Sequence, residues 1–75
     1  MVIDEVKDML SKQLRIDIDE IHDDSNIMED LGVDSIDLVE LLMGIEEKLG
    51  IVVSDEDAAN LKTVKDVADY IEQHS

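Results

Sequence analysis

The chain has 75 residues, and 21 acids against six bases give it a net charge of −15. That length holds one domain over 1–75, with no room for a deep active site beside a core. The charge repels nucleic acid and anionic membranes and attracts basic protein surfaces. With no cysteine there is no disulfide framework and no thiolate metal site. No apolar run approaches the roughly 18 residues of a membrane span, so a soluble, cytoplasmic chain is expected. The apolar fraction of 44% and its periodicity argue against disorder.

Ile3, Val6, Leu10 and Leu14, with Met9 beside them, predict a first helix over Val2 to Arg15. Asp4 and Glu5 in its first turn and Arg15 in its last match the helix dipole. The stretch from Ile16 to Asp34 predicts a long loop. Ile18, Ile21, Ile27, Met28 and Leu31 are expected to pin it to the core, which favours a functional loop over a disordered one. From Ile16 to Glu47 twelve acids stand without one Lys or Arg.

A second helix is predicted over Ser35 to Leu49. Asp34 or Ser35 can cap its start, and Gly50 follows Lys48 as a C-terminal stop. Leu38, Leu41, Leu42, Ile45 and Leu49 form a core stripe. Ile36, Val39 and Met43 form a second stripe, more apolar surface than one core face needs. Ile51 to Val53 reads as an extended link. Ser54-Asp55-Glu56-Asp57 opens a short helix to about Asn60, and Thr63-Val64-Lys65-Asp66 opens a last one carrying Val64, Val67, Ala68 and Ile71. The expected fold is all-α: a small four-helix bundle of three longer helices and one short one, with a long loop between the first two.

Enzymatic readings fare poorly. A nucleophile elbow needs Gly-x-Ser-x-Gly after a strand, with a base in reach. Here the glycine lies three residues before Ser35, and only His22 and His74 are available as histidine bases. No catalytic residue is assigned. A calcium loop needs Gly at its sixth position and Glu at its twelfth. Counting from Asp17 gives His22 and Met28, and from Asp19 gives Asp24 and Asp30, so no metal site is assigned.

From local spacing alone Ser35 reads as a helix cap. Three features point further: the Gly32-Val33-Asp34-Ser35 corner, the apolar stripe beginning beside it at Ile36, and the flanking acids Asp34, Asp37, Glu40 and Glu47. A serine beside an apolar strip rimmed by acids suits a docking surface built around a modification site. Ser11, Ser25, Ser54 and Ser75 lack that setting.

Leu31-Gly32-Val33-Asp34-Ser35-Ile36-Asp37-Leu38-Val39-Glu40-Leu41 closely resembles the phosphopantetheine attachment motif of acyl carrier proteins, which usually reads Gly-x-Asp-Ser-Leu. The resemblance continues through Glu46 to Ile51, Asp55 to Ala58 and Thr63 to Val67, and so covers essentially the whole chain. Ile36 replaces the usual Leu, Gly44 a residue that is often Ala, and Ser54 a common Pro.

The resemblance implies a carrier and not an enzyme. A 4'-phosphopantetheine arm on Ser35 would hold acyl groups as thioesters and shuttle them between enzymes of fatty acid biosynthesis. A phosphopantetheinyl transferase and basic-surfaced acyl-processing enzymes would be its partners. They would dock on Asp34, Ile36, Asp37, Val39, Glu40, Met43 and Glu47, with the protein itself a monomer. Leu38, Leu42, Ile45, Val53, Ala58, Leu61 and Ala68, between the second and third helices, are expected to line an acyl-chain cavity. The other readings are a carrier for a polyketide or other specialised acyl pathway, and an acidic interaction module with Ser35 as a cap or phosphorylation switch.

Overall fold

The computed structural model describes residues 1–74; Ser75 lies outside the described residues. Helix α1 spans Val2–Leu14, α2 Ser35–Leu49, α3 Asp55–Ala58 and α4 Val64–His74, and a single 3-10 turn covers Ile18–Glu20. This is the expected bundle, with three longer helices, one short one and a long loop after the first.

Each helix begins and ends for a local reason. Helix α1 stops one residue earlier than its apolar spacing predicts, because Arg15 turns left-handed (φ 58°) and sends its N–H back to the Ser11 carbonyl. Gly50, at φ 70°, ends α2 in the same way, with its N–H on the Glu46 carbonyl. Ser54 Oγ accepts the Asp57 N–H and opens α3. That helix ends at Ala58, short of Asn60: the Ala59 N–H still reaches four residues back to the Asp55 carbonyl, but the two amides after it bond three residues back, Asn60 N–H to the Asp57 carbonyl and Leu61 N–H to that of Ala58. A reciprocal box opens α4, where Thr63 Oγ1 accepts from the Asp66 N–H and Asp66 Oδ2 accepts from the Thr63 and Lys62 amides.

The core forms where α1 packs against α4 and, less extensively, α2. Val6 and Leu10 of α1, Leu41 and Ile45 of α2, and Val64, Val67, Ala68 and Ile71 of α4 are all buried. Gly44 faces α1: a β-carbon there would stand 3.0 Å from the terminal methyl of Met9. The glycine therefore sits at a helix-helix approach.

The long loop is ordered by polar anchors as well as by apolar ones. Ile21 and Ile27 are buried and Leu31 is half-buried, as expected, and Val33 joins them in the core. Ile18 and Met28 are not pins, being 42% and 48% exposed. Ile18 lies in the 3-10 turn, and Met28 stands on the wall of a surface groove. Backbone bonds from Val64 N–H to the Ser25 carbonyl, Lys65 N–H to that of Asp23, and Ile27 N–H to that of Lys62 bind the loop to the start of α4. An isolated bridge pairs Asn26 with Thr63.

Candidate functional site

The site begins at the turn between the loop and α2. Gly32 has φ 70° and no neighbour within 4 Å of where a β-carbon would be, so the left-handed backbone, and not crowding, accounts for the glycine. Val33 is buried and its N–H bonds to the Ile27 carbonyl at 3.1 Å, which fixes the corner to the core. Asp34 follows in an extended conformation (φ −87°, ψ 179°), and its Oδ1 accepts the Asp37 N–H at 2.9 Å.

Asp34 is therefore the cap of α2, which leaves Ser35 as the first helical residue with nothing to cap. The Ser35 side chain is exposed, and its hydroxyl has no hydrogen-bond partner among the described residues. No histidine hydrogen-bonds to it among the described residues. His22 lies in the loop, with its N–H on Ser25 Oγ, and the His74 ring stacks on Tyr70. No cluster of three or more His, Asp and Glu side chains suited to a metal ion is present among the described residues. The arrangement presents a free hydroxyl on a rigid corner at the positive end of a 15-residue helix.

Beside Ser35 runs the second stripe of α2. Ile36, Val39 and Met43 are 69%, 53% and 55% exposed, flanked by exposed Asp34, Glu40 and Glu47. Asp37 is half-buried, and its carbonyl accepts from Gln13 Nε2 of α1 at 2.6 Å. Gln13 thus helps hold the first turn of α2 in place. Nothing in its spacing marked it, because its partner lies 24 residues away.

A groove of about 270 Å³ opens next to this corner. Leu38, one helical turn from Ser35, lines it with Met28 of the loop and with Ala58, Ala59 and Leu61. Asn26, Glu29 and Lys62 complete the lining. Of the residues expected around an acyl chain, the structure brings Leu38, Ala58 and Leu61 together here. Leu42 and Val53 are half-buried against the core and Ile45 is fully inside it. Ala68 belongs to α4 and borders a different depression, with Met1, Ile3, Asp23 and Asp69. The physical reason is that α3 buries none of its own residues, so no deep core forms between it and α2. Asn26 was legible as a turn former, since its Oδ1 accepts from the Met28 and Glu29 amides in an Asx turn. Its place on the groove was not.

The phosphopantetheine attachment site family matches residues 4–71 of the chain. The acyl carrier protein of Clostridium acetobutylicum is 45% identical over 75 residues, covering 100% of this chain and 97% of that protein. The acyl carrier protein of Campylobacter hominis is 49% identical over 71 residues, covering 95% and 90%. The solved acyl carrier protein of Enterococcus faecalis superposes with a TM-score of 0.84 at 36% identity, covering 99% of this chain and 94% of its own. A family match across the helices and the Ser35 corner, relatives close to half identical over nearly their whole length, and a shared fold lead to one conclusion: this chain belongs to the acyl carrier protein family, non-catalytic carriers bearing a covalent 4'-phosphopantetheine.

Proposed function

We propose that Ser35 is the attachment point of the arm and that the protein carries acyl intermediates of fatty acid synthesis. The observation that carries the reading is the division of labour at the corner. Asp34 caps the helix, so the Ser35 hydroxyl is free and exposed. A phosphodiester on Ser35 would stand beside the carboxylates of Asp34 and Asp37, and the helix start is what favours it there. The start of α2 favours negative charge near its first amides, and the groove beside Leu38 lies one turn away. The arm supplies the thiol that this cysteine-free chain lacks.

Among the described residues no base hydrogen-bonds Ser35 Oγ, so the transferase would supply one to take its proton, along with the cation that offsets phosphoryl charge. Asp34, Glu40 and Glu47 then steer basic enzyme surfaces toward the corner, and Asp37 contributes to the same field. Ile36, Val39 and Met43 give each partner a small apolar contact, and methionine adapts to partners of different shape. Such surfaces favour fast arrival and quick release, which a shuttle requires. Residence in the cytoplasm goes with this reading. No helix among the described residues is long and apolar enough to cross a membrane.

Asp34 before the serine and the strongly acidic surface support fatty acid synthesis over a polyketide pathway. The test is to charge the holo protein with a malonyl group and offer it to condensing enzymes of both kinds. A higher kcat/KM with the fatty-acid enzyme is expected. A clear preference for the polyketide enzyme would overturn the pathway assignment.

A further inference from the structure

Helix α3 has no buried residue of its own. Its two flanks are anchored: Ile51 before it and Leu61 after it are buried, and the Lys62 carbonyl accepts the Ile27 N–H. Between those anchors a single side-chain hydrogen bond joins α3 to another helix among the described residues. The Tyr70 hydroxyl of α4 donates to Asp57 Oδ2 at 2.9 Å, and it also reaches the Val52 carbonyl at 3.4 Å.

Both ends of that bond are held in position. The Asp57 amide is capped by Ser54 Oγ, which fixes the backbone from which the carboxylate projects. The Tyr70 ring is stacked by His74, with centroids 4.1 Å apart and planes 27° from parallel. The bond to the carboxylate pushes the phenol pKa up. Ala58, at the end of α3, and Ala59 and Leu61 just beyond it form one side of the groove that Leu38 and Met28 face.

We infer that the Tyr70–Asp57 bond is a tether holding the α3 wall of this groove closed, so that Tyr70 sets how long an acyl chain on the arm stays shielded from solvent. The inference rests on the Ser35 reading above for the placement of the chain. Tyr70 is a positioning residue, acting on the groove through Asp57. With so little of α3 buried, the loss of one hydrogen bond changes its open population directly, while the α1-α4 core is untouched.

Two measurements test this. Tyr70→Phe keeps the ring and its stack and removes only the hydroxyl. Amide exchange at Ala58 and Ala59, whose N–H groups bond to the Ser54 and Asp55 carbonyls, is expected to quicken by about two- to fivefold, the loss of one modest net hydrogen bond. Amides of Leu10 and Leu41 stay unchanged. Asp57→Ala reproduces the effect, the double variant adds nothing to either single change, and Asp57→Asn, which keeps an acceptor, stays near native. In the second measurement the holo protein carries an octanoyl thioester, and its cleavage by hydroxylamine is timed. Tyr70→Phe is expected to accelerate cleavage by the same factor as it accelerates α3 exchange. Unchanged α3 exchange overturns the tether. Faster exchange with an unchanged cleavage rate overturns its link to the chain. A native octanoyl thioester cleaved as fast as free octanoyl-pantetheine contradicts the placement of the chain in the groove, whatever Tyr70 does.

Discussion

Dividing α2 into a core face and a docking face assigns different consequences to two residues only two positions apart. Leu41 is 1% exposed and Met43 is 55% exposed. Leu41→Ala removes three carbon groups from a packed interior, about 2–3 kcal/mol of transfer free energy before any cavity is counted. Incomplete collapse around the site brings the cost into the range of roughly 2–5 kcal/mol. A domain of this size has a total stability of about 4–11 kcal/mol. The variant should therefore melt more than about 10 °C lower. Met43→Ala leaves surface that water already reaches and should cost under about 1 kcal/mol. Leu42, half-buried, should fall between. Urea unfolding of the three variants gives the stability order, with unchanged m-values required for the comparison. Transferase kinetics give the other half: Met43→Ala should lower kcat/KM for arm transfer while the folded Leu42→Ala protein is modified at close to the native rate. If Met43→Ala destabilises as much as Leu41→Ala, or leaves transfer untouched, the two faces have been misassigned.

Gly44→Ala should stabilise by roughly 0.5–1 kcal/mol, because helix propensity improves and the only close neighbour is the movable tip of Met9; a lower midpoint would mean that Met9 cannot yield. Thr63 backbone bonding, helped by that of Lys62 and opposed by slight burial, holds the Asp66 carboxyl below its ordinary 3.8. A folded-state value beneath the unfolded one contributes stability above about pH 4 that is lost as pH falls through the lowered value. Asp66→Ala should thus cost about 1 kcal/mol at neutral pH, and its deficit against the native protein should shrink in acid; a deficit constant down to pH 2 would refute the linkage. Added NaCl or millimolar Mg²⁺ should raise Tm, since one ion pair, Lys7 with Asp23, reaches into the twelve-acid stretch among the described residues. An unmoved Tm would show that the acids are already compensated.

The helices were legible because their signals are local. Apolar spacing, the Ser54 and Thr63 caps and Gly50 lie within a turn or two of what they specify, and the structure has them there. The exposed stripe of Ile36, Val39 and Met43 was legible for the same reason: a helix with two apolar faces cannot bury both in a small bundle. What resisted reading depends on partners distant in the chain. Ser25 and Ile27 hold the loop through backbone bonds to Val64 and Lys62, and hydropathy gives backbone pairing no weight. Ile18 and Met28 were expected inside because they are apolar, but aperiodic loop backbone offers no rule for which way they point. Of the residues expected around an acyl chain, Ile45 and Ala68 are buried in the core while Leu38, Ala58 and Leu61 share the surface groove, a division that apolar spacing alone does not draw. Which of Asp34 and Ser35 caps α2 is a matter of one residue of backbone geometry. That single choice leaves the serine free.

The most direct measurement follows from that choice. The intact mass of the native protein and of Ser35→Ala is taken before and after incubation with coenzyme A, Mg²⁺ and a phosphopantetheinyl transferase, with helical circular dichroism as the check on folding. The native protein should gain the mass of one 4'-phosphopantetheine group and no more, and the folded Ser35→Ala protein should gain nothing. A mass gain on Ser35→Ala, or a second group on the native chain, would contradict the assignment of Ser35 as the single point of attachment.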